Sequence, residues 1–313
     1  MSLGDIRVAI VHDEFIRRGG AERVVEELLR IFPQAHVYAL YAGNNPLMTV
    51  DKRPYSIHTT FLQSYPLWLR KHPRRLAPFL LHAAERIDLS RYDVVISCSS
   101  GFAKGVITRS TVPHICYCHT PTRYVWERRS RSIIEQVGGH FLRMADFAAA
   151  QRPDVFVSNS EYTAERVLGY YRRRSDVVYP PVATDFFSPK SITTAALPEP
   201  GYFLCVGRLT PSKQFDQAIA VCEKLRIPLK IVGTGHDKAR LQRLTGKYTQ
   251  LMGKVPDSTL RDFYRGATAL LQPGVEDFGI ASVEALACGV PIIAVGSGGI
   301  REIVTSKRFG VLY

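Results

Sequence analysis

Residues 276–284 read Glu276-Asp277-Phe278-Gly279-Ile280-Ala281-Ser282-Val283-Glu284, with two glutamates eight positions apart. The first glutamate precedes a predicted helix, and the second lies inside it. Phe278, Gly279 and Ile280 fall at the helix start, where backbone N–H groups have no intrahelical partner and the helix dipole favours an anion. One short segment therefore offers carboxylates to hydroxyl groups and free amides to a phosphate, which are the two halves of a nucleotide-sugar.

The domain organisation follows from the pattern on either side of this stretch. Short apolar runs alternate with helical patterns, which predicts α/β domains with parallel sheets and helical crossovers. Residues 180–201 carry five prolines and no clear periodicity, which is typical of a linker. We predict an N-terminal domain over residues 1–182, a linker over 183–201 and a C-terminal domain over 202–313. Both are expected to be Rossmann-like and doubly wound, facing each other across a cleft with ligands at the carboxyl ends of the strands.

The predicted elements of the first domain are strands Ile6–His12, His36–Tyr41, Val94–Ser97, His114–Cys118, Val155–Ser158 and Val177–Tyr179, with helices Ala21–Phe32, Ile133–Ala150 and Tyr162–Tyr171. Those of the second domain are strands Phe203–Val206, Leu229–Val232, Leu251–Gly253, Ala269–Gln272, Pro291–Val295 and Val311–Tyr313, with helices Gln214–Leu225, Asp237–Leu244, Ser258–Arg265, Gly279–Cys288 and Ile300–Thr305.

Composition narrows the class of protein. The chain has 313 residues, of which 46% are hydrophobic and 22% charged, and no apolar run reaches the length of a membrane span. We see no signal-peptide pattern, and the six cysteines form no Cys-x-x-Cys pair, so we expect reduced thiols in the cytoplasm. A metal site at Cys116, Cys118 and His119 lacks a fourth ligand. We expect no metal and no other cofactor.

Positive charge is concentrated in one region. Residues 52–143 contain 15 Lys and Arg against 5 Asp and Glu, so they carry +10 of the net charge of +13. Within them, residues 61–86 mix apolar and aromatic side chains with Arg70, Lys71, Arg74 and Arg75. This pattern suits contact with an anionic membrane surface, and it also fits a solvated cationic face over a core helix. No nucleic-acid-binding motif accompanies the charge, so we expect no nucleic-acid partner.

Two loops of the second domain are candidates for binding a nucleotide. Gly207-Arg208-Leu209-Thr210-Pro211-Ser212-Lys213 joins a predicted strand to a helix, and Arg208 and Lys213 together suit a diphosphate. The same residues also fit a solvated loop. Val255 follows the strand that ends at Gly253. The pattern fits contact with a nucleobase at this position and an ordinary strand end equally well.

The first domain offers two further candidates. Gly19-Gly20-Ala21-Glu22 joins the first strand to a helix, where glycines permit close backbone approach and the helix start favours an anion. His119 ends a predicted strand, so it is expected to point into the cleft and to hydrogen-bond a sugar hydroxyl, unless neighbouring backbone groups satisfy it. His12 and Asp13 occupy the corresponding end of the first strand.

Taken together, these residues resemble the retaining glycosyltransferases of family 4, which have the GT-B fold. The resemblance runs through Gly19-Gly20-Ala21-Glu22, His119, Tyr179-Pro180-Pro181-Val182, Gly207-Arg208 with Lys213, and Glu276 through Glu284. The run Tyr117-Cys118-His119-Thr120-Pro121-Thr122-Arg123-Tyr124-Val125-Trp126 is similar to the branch of bacterial O-antigen mannosyltransferases that use GDP-mannose. Members of the family usually continue into a helix that returns to the first domain. We therefore expect the second domain to be truncated at Tyr313.

The resemblance implies a role for each candidate residue. Catalytic residues would be His119 and Glu276 on the transferred sugar, with Arg208 and Lys213 on the donor diphosphate. Donor-binding residues would also include Gly19, Gly20, Val255, Phe278, Gly279, Ile280 and Glu284, the last on the ribose hydroxyls. The resemblance further implies a saccharide acceptor carried on a polyprenyl diphosphate and a peripheral position at the inner face of the plasma membrane.

Three functions are compatible with these patterns. The first is sugar transfer, most simply of mannose from GDP-mannose in cell-surface polysaccharide synthesis. No Asp-x-Asp occurs in the chain, so we expect the cationic residues rather than a metal ion to stabilise the leaving diphosphate. A nucleotide-sugar epimerase would share the architecture and need no acceptor. A non-catalytic protein that binds nucleotide-sugars would bind the donor and release nothing.

Overall fold

The computed structural model describes residues 5–16, 19–127, 132–190 and 201–313, apart from the side chains of Pro73 and Ile134. The chain divides into two compact units, Met1–Pro181 and Val182–Tyr313. Of the predicted linker, residues 191–200 lie outside the described part of the chain. Within that part, no helix is both long and apolar enough to cross a bilayer.

The first unit is built on one eight-stranded sheet. Its strands are β1 (Val8–Phe15), β2 (His36–Ala42), β3 (Leu47–Val50), β4 (Arg53–Thr59), β5 (Val94–Ser99), β6 (His114–Cys118), β7 (Val155–Ser158) and β8 (Asp176–Val177). They lie in the order β3-β4-β2-β1-β5-β6-β7-β8, and every pair is parallel except β3 with β4. The helices are α1 (Gly20–Ile31), α2 (Leu67–Arg70), α3 (Pro73–Glu85), α4 (Arg123–Trp126), α5 (Ile133–Ala149) and α6 (Glu161–Tyr171).

Alternating side chains of β1 feed two separate cores. Val8 and Ile10 pack with Val24 and Leu29 of α1 on one face of the sheet. Ala9 and Val11 point to the other face, into a cluster with residues of α3, and the partly buried Leu142 of α5 packs against it. Because successive strand residues face opposite sides, this single strand fixes which helices cover which face.

The second unit is a six-stranded, fully parallel sheet with helices between its strands. The strands are β9 (Tyr202–Val206), β10 (Leu229–Val232), β11 (Thr249–Gly253), β12 (Ala267–Gln272), β13 (Ile292–Ala294) and β14 (Gly310–Leu312), and the helices are α7 (Phe215–Leu225), α8 (Lys238–Leu244), α9 (Asp257–Arg265), α10 (Ile280–Ala287) and α11 (Ile300–Ile303). The strand order is β11-β10-β9-β12-β13-β14. The chain therefore reverses its direction of winding between β9 and β12, where open α/β sheets bind ligands.

The predicted fold class, two α/β domains built on parallel sheets, is confirmed. Five elements of the first unit were not predicted, namely β3, β4, α2, α3 and α4. β4 contains Pro54 and four exposed residues, so it lacks the apolar run by which the other strands were found. β3 pairs antiparallel with β4 at the sheet edge, where a strand needs fewer buried side chains.

Candidate functional site

The turn after β9 brings a lysine to the acidic loop that follows β12. Residues Pro211–Lys213 form a single 3₁₀ turn, and Gln214 adopts a left-handed conformation before α7 begins. The Lys213 ammonium donates a hydrogen bond to a carboxylate oxygen of Glu276, with the two side chains 21% and 22% exposed. Two residues predicted from separate loops therefore meet at the switch point of the sheet and remain partly open to solvent.

Arg208 occupies the same turn but is not tied down. Its side chain is exposed, and it makes no hydrogen bond or ion pair with the residues that the structure describes. Gly207, just before it, has φ +154°, and a Cβ atom there would lie 3.6 Å from Lys213 Cε. The turn thus presents one cation held by a carboxylate and one available to an anion.

Gly274 was missed by the sequence analysis, although it sets the spacing between the two turns. A Cβ atom on Gly274 would lie 2.3 Å from the Ser212 carbonyl oxygen and 2.7 Å from Lys213 Cα. Real Cβ atoms do not approach so closely, so only glycine lets the loop after β12 close against the lysine turn. The signal for this role is tertiary and is absent from the local sequence.

Two further glycines, Gly298 and Gly299, were also missed and hold the acidic loop from the turn after β13. Glu276 forms an isolated parallel bridge with Gly298, and the Gly299 amide donates to the Glu276 carbonyl at 3.0 Å. A Cβ atom on Gly299 would lie 2.2 Å from the Asp277 carbonyl oxygen. The backbone of residues 276–278 is therefore fixed by direct contact with the turn after β13.

Helix α10 begins where the sequence predicted. Gly279 is its N-cap with φ +104°, a conformation that favours glycine. The Ser282 hydroxyl donates to Oε1 of buried Gln272, whose Nε2 has no partner in the described chain. Phe278 is buried, and Ile280 is partly exposed as the first helical residue. The helix start is thereby packed against the end of β12.

Glu284 lies deeper than its predicted role suggests. It is 3% exposed, and one carboxylate oxygen accepts a 2.9 Å hydrogen bond from the fully buried Tyr264 hydroxyl of α9. Its proposed contact with ribose hydroxyls stays a prediction. Val255 is partly buried against the core cluster that contains Tyr264, so it likewise stays a candidate rather than an established contact.

In the first unit, the first loop forms a compact polar cluster. The Gly19 amide donates to Glu22 Oε2 at 2.8 Å, and His12 Nε2 lies 3.6 Å from Glu22 Oε1. Burial lowers the pKa of His12, but the Glu22 hydrogen bond and charge outweigh it and leave the pKa raised. Burial alone would raise the pKa of Glu22, but the hydrogen bond and the charge of His12 outweigh that effect. The pKa of Glu22 is therefore lowered. Glu22 therefore ties the Gly19-Gly20 loop to β1 through a charge-assisted contact.

His119 joins this cluster from the end of β6. Its ring lies edge-on to that of His12, with centroids 6.1 Å apart. Its Nε2 is buried without a partner among the described residues. Burial, aided by His12, lowers the pKa of His119 to about 3, so the ring is neutral near pH 7. A neutral imidazole with one unpaired nitrogen is suited to hydrogen-bond a hydroxyl.

Asp13 has a structural task instead. Its Oδ2 accepts from the Ser100 amide at 2.6 Å and its Oδ1 from the Ala103 amide at 2.8 Å. The carboxylate thus holds the loop after β5.

A buried ion pair that was not predicted from the sequence lies behind the loop that follows His119. Lys104 Nζ donates to Asp146 Oδ1 at 2.6 Å, and the two residues are 2% and 0% exposed. Asp146 also accepts from Thr122 Oγ1 at 2.8 Å, Trp126 Nε1 at 2.7 Å and the Tyr171 hydroxyl at 2.8 Å. Four donors on one carboxylate join α5 and α6 to the loops after β5 and β6.

The cationic segment is less uniform than predicted. Arg70 is 6% exposed and donates to the carbonyls of Tyr65 and Ala42, so it does not face solvent. Lys71, Arg74 and Arg75 are exposed, and the Arg75 guanidinium lies 5.8 Å from the centre of the exposed Trp68 ring. The basic residues at 128–131, which also contributed to the predicted charge, lie outside the described residues.

The residues that the structure describes form no candidate metal site. All six cysteines are buried free thiols, and the described part of the chain holds no cluster of three or more His, Cys, Asp or Glu residues arranged for a metal ion.

A comparison with known proteins finds two family models that match this chain. Residues 18–186 match the model described as Glycosyltransferase Family 4, and residues 190–313 match the model described as Glycosyl transferases group 1. A D-inositol 3-phosphate glycosyltransferase from Acidothermus cellulolyticus is 29% identical over 71% of this chain and 56% of its own length. A GDP-mannose-dependent alpha-mannosyltransferase from Mycolicibacterium smegmatis is 26% identical over 74% of this chain and 56% of its own length.

The fold also matches solved structures. Anabaena HepE, in a crystal structure with UDP and glucose, superposes with a TM-score of 0.68 at 15% identity, covering 98% of this chain and 85% of its own. At that identity the likeness concerns the fold alone. The chain spans 56% of the length of these two curated relatives.

Proposed function

This chain belongs to glycosyltransferase family 4, and we propose that it transfers a hexose from a nucleotide-sugar to a saccharide acceptor. The observation that carries this proposal is the contact between Lys213 and Glu276 at the switch point of the second unit. A cation for a diphosphate and a carboxylate for sugar hydroxyls stand side by side there, next to the start of α10. Because the chain belongs to a glycosyltransferase family, binding of a nucleotide-sugar is the function that best explains this pair of groups.

We assign the donor residues by charge and position. Arg208 and Lys213 bind the diphosphate, Glu276 accepts hydrogen bonds from hydroxyls of the transferred sugar, and backbone amides at Phe278, Gly279 and Ile280 meet sugar and phosphate. Glu284 contacts the ribose and Val255 the base. In the first unit, His119 contacts the donor sugar, while Gly19 and Gly20 lie on the phosphate and acceptor side.

Catalysis in this proposal is electrostatic. When the bond from the anomeric carbon to the diphosphate breaks, positive charge grows on the sugar ring and negative charge on the leaving group. Arg208 and Lys213 stabilise the leaving diphosphate as that charge grows. We propose that the configuration is retained, with the leaving phosphate assisting deprotonation of the acceptor, and we assign no protein nucleophile.

GDP-mannose is the proposed donor and mannose the transferred sugar. The run from Tyr117 to Trp126 and the Mycolicibacterium relative support this choice. The acceptor is proposed to be a saccharide on a polyprenyl diphosphate, within cell-surface polysaccharide synthesis. The exposed cations Lys71, Arg74 and Arg75 with Trp68 support contact with an anionic membrane, which we place at the inner face of the plasma membrane.

The test is a matrix of donors and acceptors. GDP-mannose, UDP-glucose and UDP-N-acetylglucosamine are each incubated with the protein, alone and with inositol 3-phosphate or a mannosyl polyprenyl diphosphate. Transfer to an acceptor, with release of GDP, supports the proposal. Isomerised sugar without acceptor indicates an epimerase, and binding of donor without release of a nucleoside diphosphate indicates a non-catalytic binding protein. Either of the last two outcomes refutes the proposed transfer.

A further inference from the structure

Helix α5 carries an apolar stripe on its solvent side. Five large side chains define it, namely Ile133, Val137, Phe141, Met144 and Phe147. Their exposed fractions are 77%, 53%, 63%, 55% and 38%. At about 100° per residue they fall within about 120° of the helix circumference. The exposed His140 lies within the same arc, and the five apolar side chains around it form a cluster, which marks an interaction site more than scattered exposed residues do.

The opposite side of α5 is fixed in the core. Leu142 and Ala145 pack against the cluster beneath α3, Ala149 is fully buried, and Asp146 is held by Lys104 and Tyr171. The helix therefore cannot rotate to bury the stripe without breaking the ion pair and this packing. The stripe therefore stays on the side of α5 that faces away from this core.

The surface beside the stripe is cationic and aromatic. Helices α3 and α5 pack together on the same face of the sheet. The exposed side of α2 and α3 carries Trp68, at 59% exposed, and Phe79, at 46%, with the cations Lys71, Arg74 and Arg75. The outer layer formed by α2, α3 and α5 thus carries both exposed apolar groups and positive charge.

We propose that the α5 stripe inserts into the headgroup region of an anionic membrane, with the cations of α2 and α3 on lipid phosphates beside it. Charge selects this occupant. A second copy docking through the same side would bring like cations together, whereas an anionic lipid surface pairs with them. The inference deepens the proposed membrane contact of the enzyme and rests on it, but it assigns the apolar part of the binding to a different helix.

The experiment compares three variants of the full chain. The stripe variant carries Val137→Ser, Phe141→Ser and Met144→Ser. The matched control carries Ile31→Ser, Val221→Ser and Leu225→Ser, which removes three exposed apolar groups elsewhere. The charge variant carries Lys71→Gln, Arg74→Gln and Arg75→Gln, and leaves the buried Arg70 in place. Each is co-sedimented with phosphatidylcholine vesicles with and without phosphatidylglycerol, at low and high salt.

The stripe variant is expected to partition at least about tenfold more weakly into vesicles with phosphatidylglycerol, from the apolar area it no longer inserts. That loss should persist at high salt, whereas the loss in the charge variant should shrink. The control should bind like the native chain. In a separate variant, Phe141→Trp, emission should be quenched by brominated lipid, which reports insertion independently of affinity.

Partitioning of the stripe variant equal to that of the control, or no quenching at position 141, would overturn the inference. So would a native dimer in sedimentation velocity that the stripe variant loses, because the face would then belong to a second copy. If vesicle binding depends on the stripe while no donor yields a nucleoside diphosphate, the enzymatic proposal fails and this one stands. Loss in the charge variant alone would keep the earlier membrane proposal and remove this one.

Discussion

Lys213 is paired with Glu276 and lies next to the backbone of Gly274, and we propose that it binds the donor diphosphate. We expect Lys213→Ala to lower kcat by about 10²-fold, the scale of losing one group that meets charge developing in the transition state. The measurement is nucleoside diphosphate release at saturating donor. Lys224→Ala removes an exposed cation at the far end of α7 and should leave kcat unchanged. Equal turnover in the two variants would contradict the assigned role.

Asp146 is the residue on which the first unit is expected to depend most for stability. Asp146→Ala leaves the Lys104 ammonium buried and unpaired, which should cost about 3–5 kcal/mol in the free energy of unfolding. Urea denaturation measures it. The pair of Arg152 and Glu85, whose side chains are 29% and 30% exposed, provides the comparison, since Glu85→Ala should cost under about 1 kcal/mol. Similar costs at the two sites would mean that burial does not govern the Asp146 network.

His119 should make the fold sensitive to acid. Its folded pKa of about 3 lies below the ordinary value of 6.5, so between these values the unfolded chain binds the proton more readily. Stability contributed by the neutral ring is therefore complete above pH 6.5 and is lost as the pH falls toward 3.

The corresponding variant is His119→Asn. It should reduce the slope of unfolding free energy against pH between 6.5 and 4 by up to about 1.4 kcal/mol per pH unit. Chemical denaturation at a series of pH values measures the slope. The exposed His140, replaced in the same way, should leave it unaltered, and an unaltered slope in the His119 variant would show that its ring is not held neutral.

At the scale of elements, the contact between the turns after β9 and β12 depends on one missing side chain. Gly274→Ala places a methyl group 2.3 Å from the Ser212 carbonyl oxygen, so the lysine turn must shift. We expect donor affinity to fall by about tenfold or more, the cost of displacing charged groups from a preorganised site. Isothermal titration with GDP measures it.

Gly169→Ala is the control for that substitution. Gly169 lies in α6 with nothing within 4 Å of its added methyl group, so the change should raise stability by up to about 1 kcal/mol through helix propensity and leave donor binding unaltered. Unchanged GDP affinity in the Gly274 variant would show that the turn tolerates the shift.

Sequence pattern predicted the elements whose burial is continuous and failed where burial depends on distant partners. Strands β9 and β10 were found because their apolar runs are followed directly by Gly207 and Gly233. Gly274 and Gly299 were missed, because the atoms that exclude a side chain there belong to other loops. Arg70 was assigned to the surface by its charged neighbours, but its partners are carbonyls of β2 and Tyr65, which no local pattern reveals.

At the scale of the whole molecule, the proposed donor-binding residues Arg208, Lys213, Glu276 and Glu284 all belong to the second unit. A ligand that binds only the native form stabilises the part it contacts by an amount set by its occupancy. GDP should therefore slow amide hydrogen exchange in residues 207–213 and 272–284 and leave α3 and α5 unaffected. Exchange measured by mass spectrometry tests this. Protection confined to the first unit would contradict the proposal that the nucleotide binds to the second unit.

The buried thiols have a practical consequence, because they fall evenly on the two units. Cys98, Cys116 and Cys118 lie in the first, and Cys205, Cys222 and Cys288 in the second. Burial raises the pKa of the Cys116 thiol to about 12 and that of Cys222 to about 11, so an alkylating reagent meets little thiolate in the native protein. Brief alkylation followed by peptide mapping can therefore measure the rate at which each unit unfolds and exposes its cysteines, without any engineered label.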